Sequence, residues 1–333
     1  MRMTIGRLTL AGLAVAWAAA ATHANAAFDV RAAENILSYQ LECGGWPKNM
    51  DMTQSPCSPE QKRKFEEDRA ATYDNSATHG EMRAMARAYR ETKQERFRES
   101  FVRGLDYILS AQYPNGGWPQ RYPLRGGYSE HITFNDGAMI GLMTVLREVA
   151  ETPEFSFVDE QRRERARRAY QRGIECILKC QIIVNGRRTV WCAQHDAKTL
   201  EPRPARSYEK ESLSGAESTG IVLFLMKLDE PSPEVRRAIN DACAWYERSK
   251  LTGIRQVSRD GDKVIVPDPE APPLWARFYD IKTNRPIFCG RDGVIKYTLS
   301  EIEKERRTGY AWYGGWGAKV LEPWPKWRER HSP

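Results

Sequence analysis

Two short stretches set an acid at what reads as the start of a helix: Asp74 in "YDNSATHGEM" (73–82) and Asp136 in "FNDGAMIGLM" (134–143). A third stretch of the same kind, "SLSGAESTGI" (212–221), offers Ser and Glu217 instead. An acid at a helix start is ordinarily an N-cap, its oxygen accepting from orphan backbone N–H groups. Two such acids on one face could instead hold a divalent cation between them. Asn75, beside Asp74, adds a hard oxygen, and the set suits calcium better than zinc. Calcium takes about six to eight oxygens, so water or an anionic substrate would have to complete the shell. Two arginines belong to the same pattern. Arg206 and Arg291 each follow a Pro-containing loop, "WCAQHDAKTLEPRPARSYE" (191–209) and "WARFYDIKTNRPIFCGRDG" (275–293), with Trp, Asp, Lys, Thr and Pro at matching offsets. Arginine pairs bidentately with carboxylates. Acids around a cation, with arginines and aromatic rings nearby, describe a cleft for a polyanion that carries carboxylate groups.

What positions these residues is a repeat. "ILSYQLECGGWP" (36–47) returns as "ILSAQYPNGGWP" (108–119), and a looser copy, "ILKCQIIVNGRRTVW", runs from 177 to 191. Each approach is helical by period: Phe97, Phe101, Leu105, Ile108 and Leu109 form one apolar stripe, Ala166, Tyr170, Gly173, Ile174 and Ile177 another. Gly-Gly or Asn-Gly then stops the helix. After the Trp a second helix begins at the joins above, with Met82, Met85, Ala86 and Tyr89, or Met139, Leu142, Leu146 and Val149, on its apolar face. The spacing predicts a mainly α protein: stacked helical hairpins in an incomplete α/α toroid, long Trp-bearing loops gathered at one end. Trp46, Trp118 and Trp191 are expected on that one face, with Trp46 and Trp118 lining the cleft. Residues 27–250 hold the hairpin repeat and 251–333 a loop-rich part of the same unit, where "KVIVPD" (263–268) is the best strand.

Residues 1–26 read as a secretory leader, with Arg2 and Arg7 before an apolar run and "ANA" at its end. No later stretch is apolar enough for a membrane span, so an exported protein without a membrane contact is expected. The leader's two arginines account for the fall in net charge from +7 to +5 on processing. A basic exported protein suits polyanions. No helix-turn-helix, zinc module or other nucleic-acid fold supports the nucleic-acid version of that. All seven cysteines survive processing; Cys43 and Cys57, bracketing a Pro-containing loop, are the expected disulfide.

The motifs "GGWPKN", "TYDNSATHGEM", "GGWPQRYP", "ITFNDGAM", "WCAQHDAKTLEPRPARSYEKESLSGAES" and "YAWYGGWG" together resemble the pectate lyases of polysaccharide lyase family 10. The similarity runs from about residue 30 to about residue 328. It implies calcium-dependent β-elimination of de-esterified polygalacturonate by a secreted, monomeric enzyme. It further implies Asp74 and Asp136 at the calcium and the substrate carboxylate, Arg206 as the base that takes the C5 proton, and Arg291 and Asn75 as substrate contacts. A base role is awkward for arginine, which is ordinarily protonated throughout; Lys210, His195 or a bound hydroxide are easier proton acceptors. Two rivals stand beside the lyase. An inverting glycoside hydrolase would use two carboxyl groups from among Asp74, Asp136 and Glu217, roughly 6.5–9.5 Å apart. A non-catalytic polysaccharide-binding protein would use the Trp and Arg loops and leave the acids without a role.

Overall fold

The computed structural model describes residues 28–331; the leader lies outside them. Eight helices carry the first part of the chain: α1 (Val30–Ser38), α2 (Pro59–Glu67), α3 (His79–Thr92), α4 (Glu95–Ala111), α5 (Ala138–Glu151), α6 (Glu160–Cys180), α7 (Glu217–Leu225) and α8 (Pro233–Arg248). Three short ones follow, α9 (Lys304–Thr308), α10 (Trp316–Leu321) and α11 (Trp324–Arg330). Helices α3, α5, α7 and α10 pack side by side as an inner row, and α4, α6 and α8 as an outer row. This is the incomplete α/α toroid that the hairpin periodicity predicts. Strands are short, the longest being a hairpin, Ile254–Arg259 with Asp262–Pro267.

The repeated motif is a device for ending a helix. An α-helix leaves its last carbonyls without intrahelical donors. Here the indole N–H of each loop Trp turns back to supply one: Trp46 Nε1 donates to Ile36 O (2.9 Å), Trp118 to Ile108 O (2.9 Å) and Trp191 to Ile177 O (2.7 Å). Trp275 does the same for α8, donating to Tyr246 O at 2.9 Å. The motif Gln clamps the loop to the next outer helix. Gln40 Nε2 donates to Gly44 O and Ser100 O, Gln112 to Gly116 O and Ala169 O, Gln181 to Thr189 O and Ala238 O. In the first two copies an arginine three residues further along the receiving helix, Arg103 or Arg172, donates to the Gln Oε1. In the third, Asp241 stands at that place, and Gln181 Oε1 is buried without a partner.

Trp46, Trp118 and Trp191 are all 0 % exposed, so the expectation that Trp46 and Trp118 line the cleft is corrected. Each ring is spent on packing, Trp46 against Gly104 and Trp118 against Gly173 of the next outer helix. A Cβ at Gly173 would lie 3.2 Å from the Trp118 ring and 2.1 Å from Met143 Sδ. The Cys43–Cys57 disulfide is corrected as well, both thiols being free. Ser38 Oγ accepts from Cys57 N at 2.8 Å and holds Cys57 at the end of α1, whereas Cys43 sits in the turn that Gly44 brings against the Arg103 carbonyl of α4.

His195 is also structural. Its ring is fully buried, with Nε2 accepting from Cys192 N (3.1 Å) and Nδ1 donating to Leu200 O (2.8 Å), so neither nitrogen is available as a base. Burial pulls its pKa down to about 4. Because that lies below the unfolded value near 6.5, the unfolded chain takes the proton first, and stability present above about pH 6.5 is lost as pH falls towards 4. The loss from this one ring is expected to reach about 3 kcal/mol. Urea midpoints measured between pH 7 and 4.5 should fall, and fall less steeply in His195→Gln. The Gln clamps give a second expectation. Gln40→Met strips two carbonyls, Ser100 Oγ and Arg103 of their partner and should cost about 3 kcal/mol. Gln181→Met, losing only two bonds and an orphan oxygen, should cost about half that in the same titration.

Candidate active site

The joins between outer and inner helices do not cap the inner helices with side chains; neither α3 nor α5 has a side-chain cap. Instead each join makes one 3-10 turn, Asp74–Ser76 and Asn135–Gly137, with Asn75 (φ 52°) and Asp136 (φ 49°) in the left-handed region that Asn and Asp tolerate best. The backbone shows the register between them: Thr72 N donates to Trp46 O and Thr133 N to Trp118 O. Asp74 therefore corresponds to Asn135, and Asp136 to Asn75. The two acids come to one face, as expected, but from adjacent positions of the repeat rather than from the same one.

The residue two places beyond each loop Trp completes the arrangement. Those residues are Lys48, Gln120, Ala193 and Arg277. The carbonyls of the last three stitch each unit to the one before it: Gln120 O accepts from Tyr73 N, Ala193 O from Phe134 N and Asn135 N, and Arg277 O from Gly215 N. Their side chains fall at the joins. Lys48 Nζ donates to Asp74 Oδ2, while Asp74 Oδ1 is buried with no partner. Arg277 donates to Glu217 Oε1 and lies 3.5 Å from Asn135 Oδ1 and 3.6 Å from Asp136 Oδ1. Ser214 Oγ donates to the other Glu217 oxygen, so this carboxylate is fully engaged. Burial raises the Asp136 pKa above its ordinary value; Arg277 opposes the rise, and the charges of Asp74 and Glu217 add to it.

From Arg277 the site continues through an aromatic ring. The Arg277 guanidinium lies 4.6 Å from the Tyr310 ring centroid and that of Arg206 lies 5.8 Å from the same ring. Tyr310 Oη donates to Glu209 Oε1 at 2.7 Å, and Arg206 forks onto Glu209 with Nε at 2.8 Å from Oε2 and Nη2 on Oε1. These bonds push the Arg206 pKa further above its ordinary value. Arg206 and Arg291 both approach the Tyr208 ring, at 4.9 and 5.8 Å, and Arg291 pairs with Glu305 at the exposed end. Asn75 stands on the rim, donating to Asn49 Oδ1 at 2.7 Å.

The structure thus brings Asp74, Asp136, Arg206, Arg291 and Asn75 onto one run of surface. Sequence reasoning missed Lys48, Arg277, Glu209 and Tyr310. The offset of two from a repeat Trp marks Lys48 and Arg277; nothing in the repeat marks Glu209 or Tyr310.

Paired acids and arginines at the loop end of stacked helical hairpins are the equipment of a lyase that works on an acidic polymer. The family model for pectic acid lyase matches residues 40–321. The family 10 polysaccharide lyase from Cellvibrio cellulosa superposes with a TM-score of 0.80 at 36% identity, covering 90% of this chain and 92% of that one. A mutant of a family 10 polysaccharide lyase from Cellvibrio cellulosa, in complex with trigalacturonic acid, gives 0.79 and 35%, covering 92% and 93%. No curated protein gives a significant match. The chain belongs to the pectic acid lyases of polysaccharide lyase family 10, and it is a pectate lyase.

The Arg277–Glu217 pair is buried on both sides, with side chains 11% and 3% exposed. Removing one partner of such a pair strands the other charge, at a cost of about 3–5 kcal/mol. Arg277→Met should therefore lower the urea midpoint sharply. Arg277→Met combined with Glu217→Gln should regain most of the stability while remaining inactive.

Proposed function

We propose that this pectate lyase cleaves de-esterified polygalacturonate by calcium-dependent β-elimination in the cleft of Asp74, Asp136, Arg277 and Arg206, as a monomer exported by its leader. The observation that carries the reading is the pair of joins. They hold two carboxylates on one face, one with a buried oxygen that no protein donor reaches and the other raised in pKa by burial and by its neighbours' charges. A buried carboxylate oxygen without a donor, beside a second carboxylate whose Oδ2 takes only the Asn135 amide at 2.6 Å, fits a hard cation. Among the described residues no group of three or more His, Cys, Asp or Glu side chains is placed to hold a metal. The two acids would therefore share the ion with water and with the substrate's own carboxylate. The trigalacturonic acid bound by the family 10 mutant supports the substrate class. Among the described residues no helix is long and apolar enough to cross a membrane.

The chemistry assigns work to each side chain. The C5 proton of a galacturonate is poorly acidic, because its removal drives charge into the adjacent carboxylate. When bound, calcium supplies positive charge against that carboxylate as the charge builds. Arg277 faces the same point from the other side, held by Glu217 so that it does not reorganise during the reaction. Arg206, at the far edge of Tyr310, reaches the C5 proton, and Arg291 and Asn75 hold neighbouring parts of the chain. Because C4–O4 breaks as C5–H is lost, the product carries a C4=C5 double bond and no water is consumed.

Polygalacturonate incubated with the protein should gain ultraviolet absorbance in the presence of calcium. A chelator should abolish the gain and added calcium restore it. In Asp136→Ala the rate should fall at least 100-fold with an unchanged far-ultraviolet dichroism. A calcium response in that variant equal to the parent's would take Asp136 out of the site. New reducing ends without absorbance would mean hydrolysis.

A further inference from the structure

Glu209 is used by none of the roles given so far, yet it is 3% exposed, ionised and surrounded by donors. The Arg206 backbone N–H donates to Oε2 at 3.2 Å, Nε to the same oxygen at 2.8 Å, Nη2 to Oε1, and Tyr310 Oη to Oε1 at 2.7 Å. Of the three guanidinium nitrogens, only Nη1 has no hydrogen-bond partner among the described residues. Tyr208 and Tyr310 stand at 4.9 and 5.8 Å from the guanidinium carbon and restrict its swing. The fork is thus fixed in plane and in rotation, with one nitrogen left over.

We propose that Glu209 is the positioning residue of the lyase reaction, fixing both the orientation and the tautomer of Arg206 so that Nη1 alone is the basic nitrogen. The inference rests on Arg206 being the base. A carboxylate only accepts hydrogen bonds, so Nε and Nη2 must keep their protons while they face it. A guanidinium that sheds a proton to solvent therefore loses it from Nη1, where the lone pair is exposed to the cleft. In the elimination that lone pair takes the C5 proton. The C5–H electrons become the C4=C5 double bond, the C4–O4 bond breaks, and the departing oxygen takes a proton from water. Arg206 returns to the cation, which Glu209 stabilises, and the surplus proton leaves to solvent. The division of labour is that of a carboxylate holding a catalytic imidazole in one tautomer. It has a cost. The hydrogen bonds that Arg206 donates to Glu209 raise the Arg206 pKa, so the neutral form is scarce at neutral pH and its share grows about tenfold per pH unit. Turnover should climb into the alkaline range.

The test is the full-length mature enzyme carrying Glu209→Gln, alone and combined with Arg206→Ala. An amide can accept from only one of the two forked donors, and its own NH2 faces the other, so the fork and the tautomer are both lost. We expect kcat to fall 100-fold or more with KM within about threefold, a native dichroism spectrum, and an alkaline limb displaced to lower pH. Glu209→Asp, which keeps the charge, should recover part of the rate. In the Arg206→Ala background Glu209→Gln should change turnover no further. A Glu209→Gln enzyme within threefold of the parent, while Arg206→Ala collapses, would overturn the positioning role and leave Arg206 as base. An Arg206→Ala enzyme with near-normal turnover and a flat profile above neutrality would overturn the base reading itself. Loss of dichroism in Glu209→Gln with full recovery of kcat per folded molecule would reduce Glu209 to a structural residue.

Discussion

Each outer helix buries one face of its last turn, and there its final carbonyls run short of backbone donors: among the described residues Ile108 O and Ile177 O have none, and Ile36 O and Tyr246 O have one long bond each, at 3.2 and 3.3 Å. Such groups must be satisfied, at about 1–3 kcal/mol each if they are not. This protein meets the demand with a side chain from further along: an indole N–H for one carbonyl of the helix end, and a Gln amide for the loop and for the next helix. Much else follows from that requirement. The Trp must lie under its own helix, so the loop that bears it must double back. The residue two places on then emerges at the seam between units, where its carbonyl stitches the preceding join. The active-site charges Lys48 and Arg277 are placed by the same step that closes the helix ends.

The repeat, the hairpin stack and the two join acids were legible because periodicity and glycine stops are properties of the local chain. The matched "DAKT" and "DIKT" loops were legible for the same reason. In both, the Asp side chain accepts from the backbone two and three residues on, Asp196 from Lys198 and Thr199, Asp280 from Lys282 and Thr283. The Trp residues were misplaced because an indole is equally suited to stacking on a sugar and to filling a core. Only the carbonyl that the indole reaches, at Ile36 or Ile108, decides between those uses. His195 was misjudged on the same ground, since a ring that could act as a base is bonded at both nitrogens. The one-step offset between Asp74 and Asp136 was not legible, because Asp-Asn and Asn-Asp look alike at the start of a helix. The backbone bonds that separate them join residues far apart in sequence.

Tyr310 and Glu209 show a different limit. They are 101 residues apart and meet through one hydrogen bond of 2.7 Å, in a part of the chain where the repeat has loosened. No period or motif spacing links them. A residue whose role is to hold another residue has no chemical mark of its own in the sequence, because its function lies in a contact.

The charges of the cleft support the proposed need for a cation from outside the chain. Lys48 is matched by Asp74, Arg277 by Glu217 and Arg206 by Glu209, while Arg291 and Arg306 share Glu305. Asp136 remains, with no cation of its own but a share of Arg277 at 3.6 Å and the neutral Asn135 amide at 2.6 Å. The positive side chains nearest the joins, Lys48 and Arg277, are thus neutralised there, and the surplus at the joins is negative. The basic balance of the whole chain can bring a polyanion to the surface. At the joins themselves the substrate carboxylate would meet like charge, and like charges at close range disfavour each other strongly where water is scarce. The proposed divalent ion, held by Asp74, Asp136 and the substrate, would reverse that sign without breaking any of these pairs. The arginines can then stay where their carboxylates hold them, already aimed, when the charge of the reaction develops. On the proposed reading, calcium would admit the substrate, and the internal ion pairs would keep the arginines rigid enough to act on it.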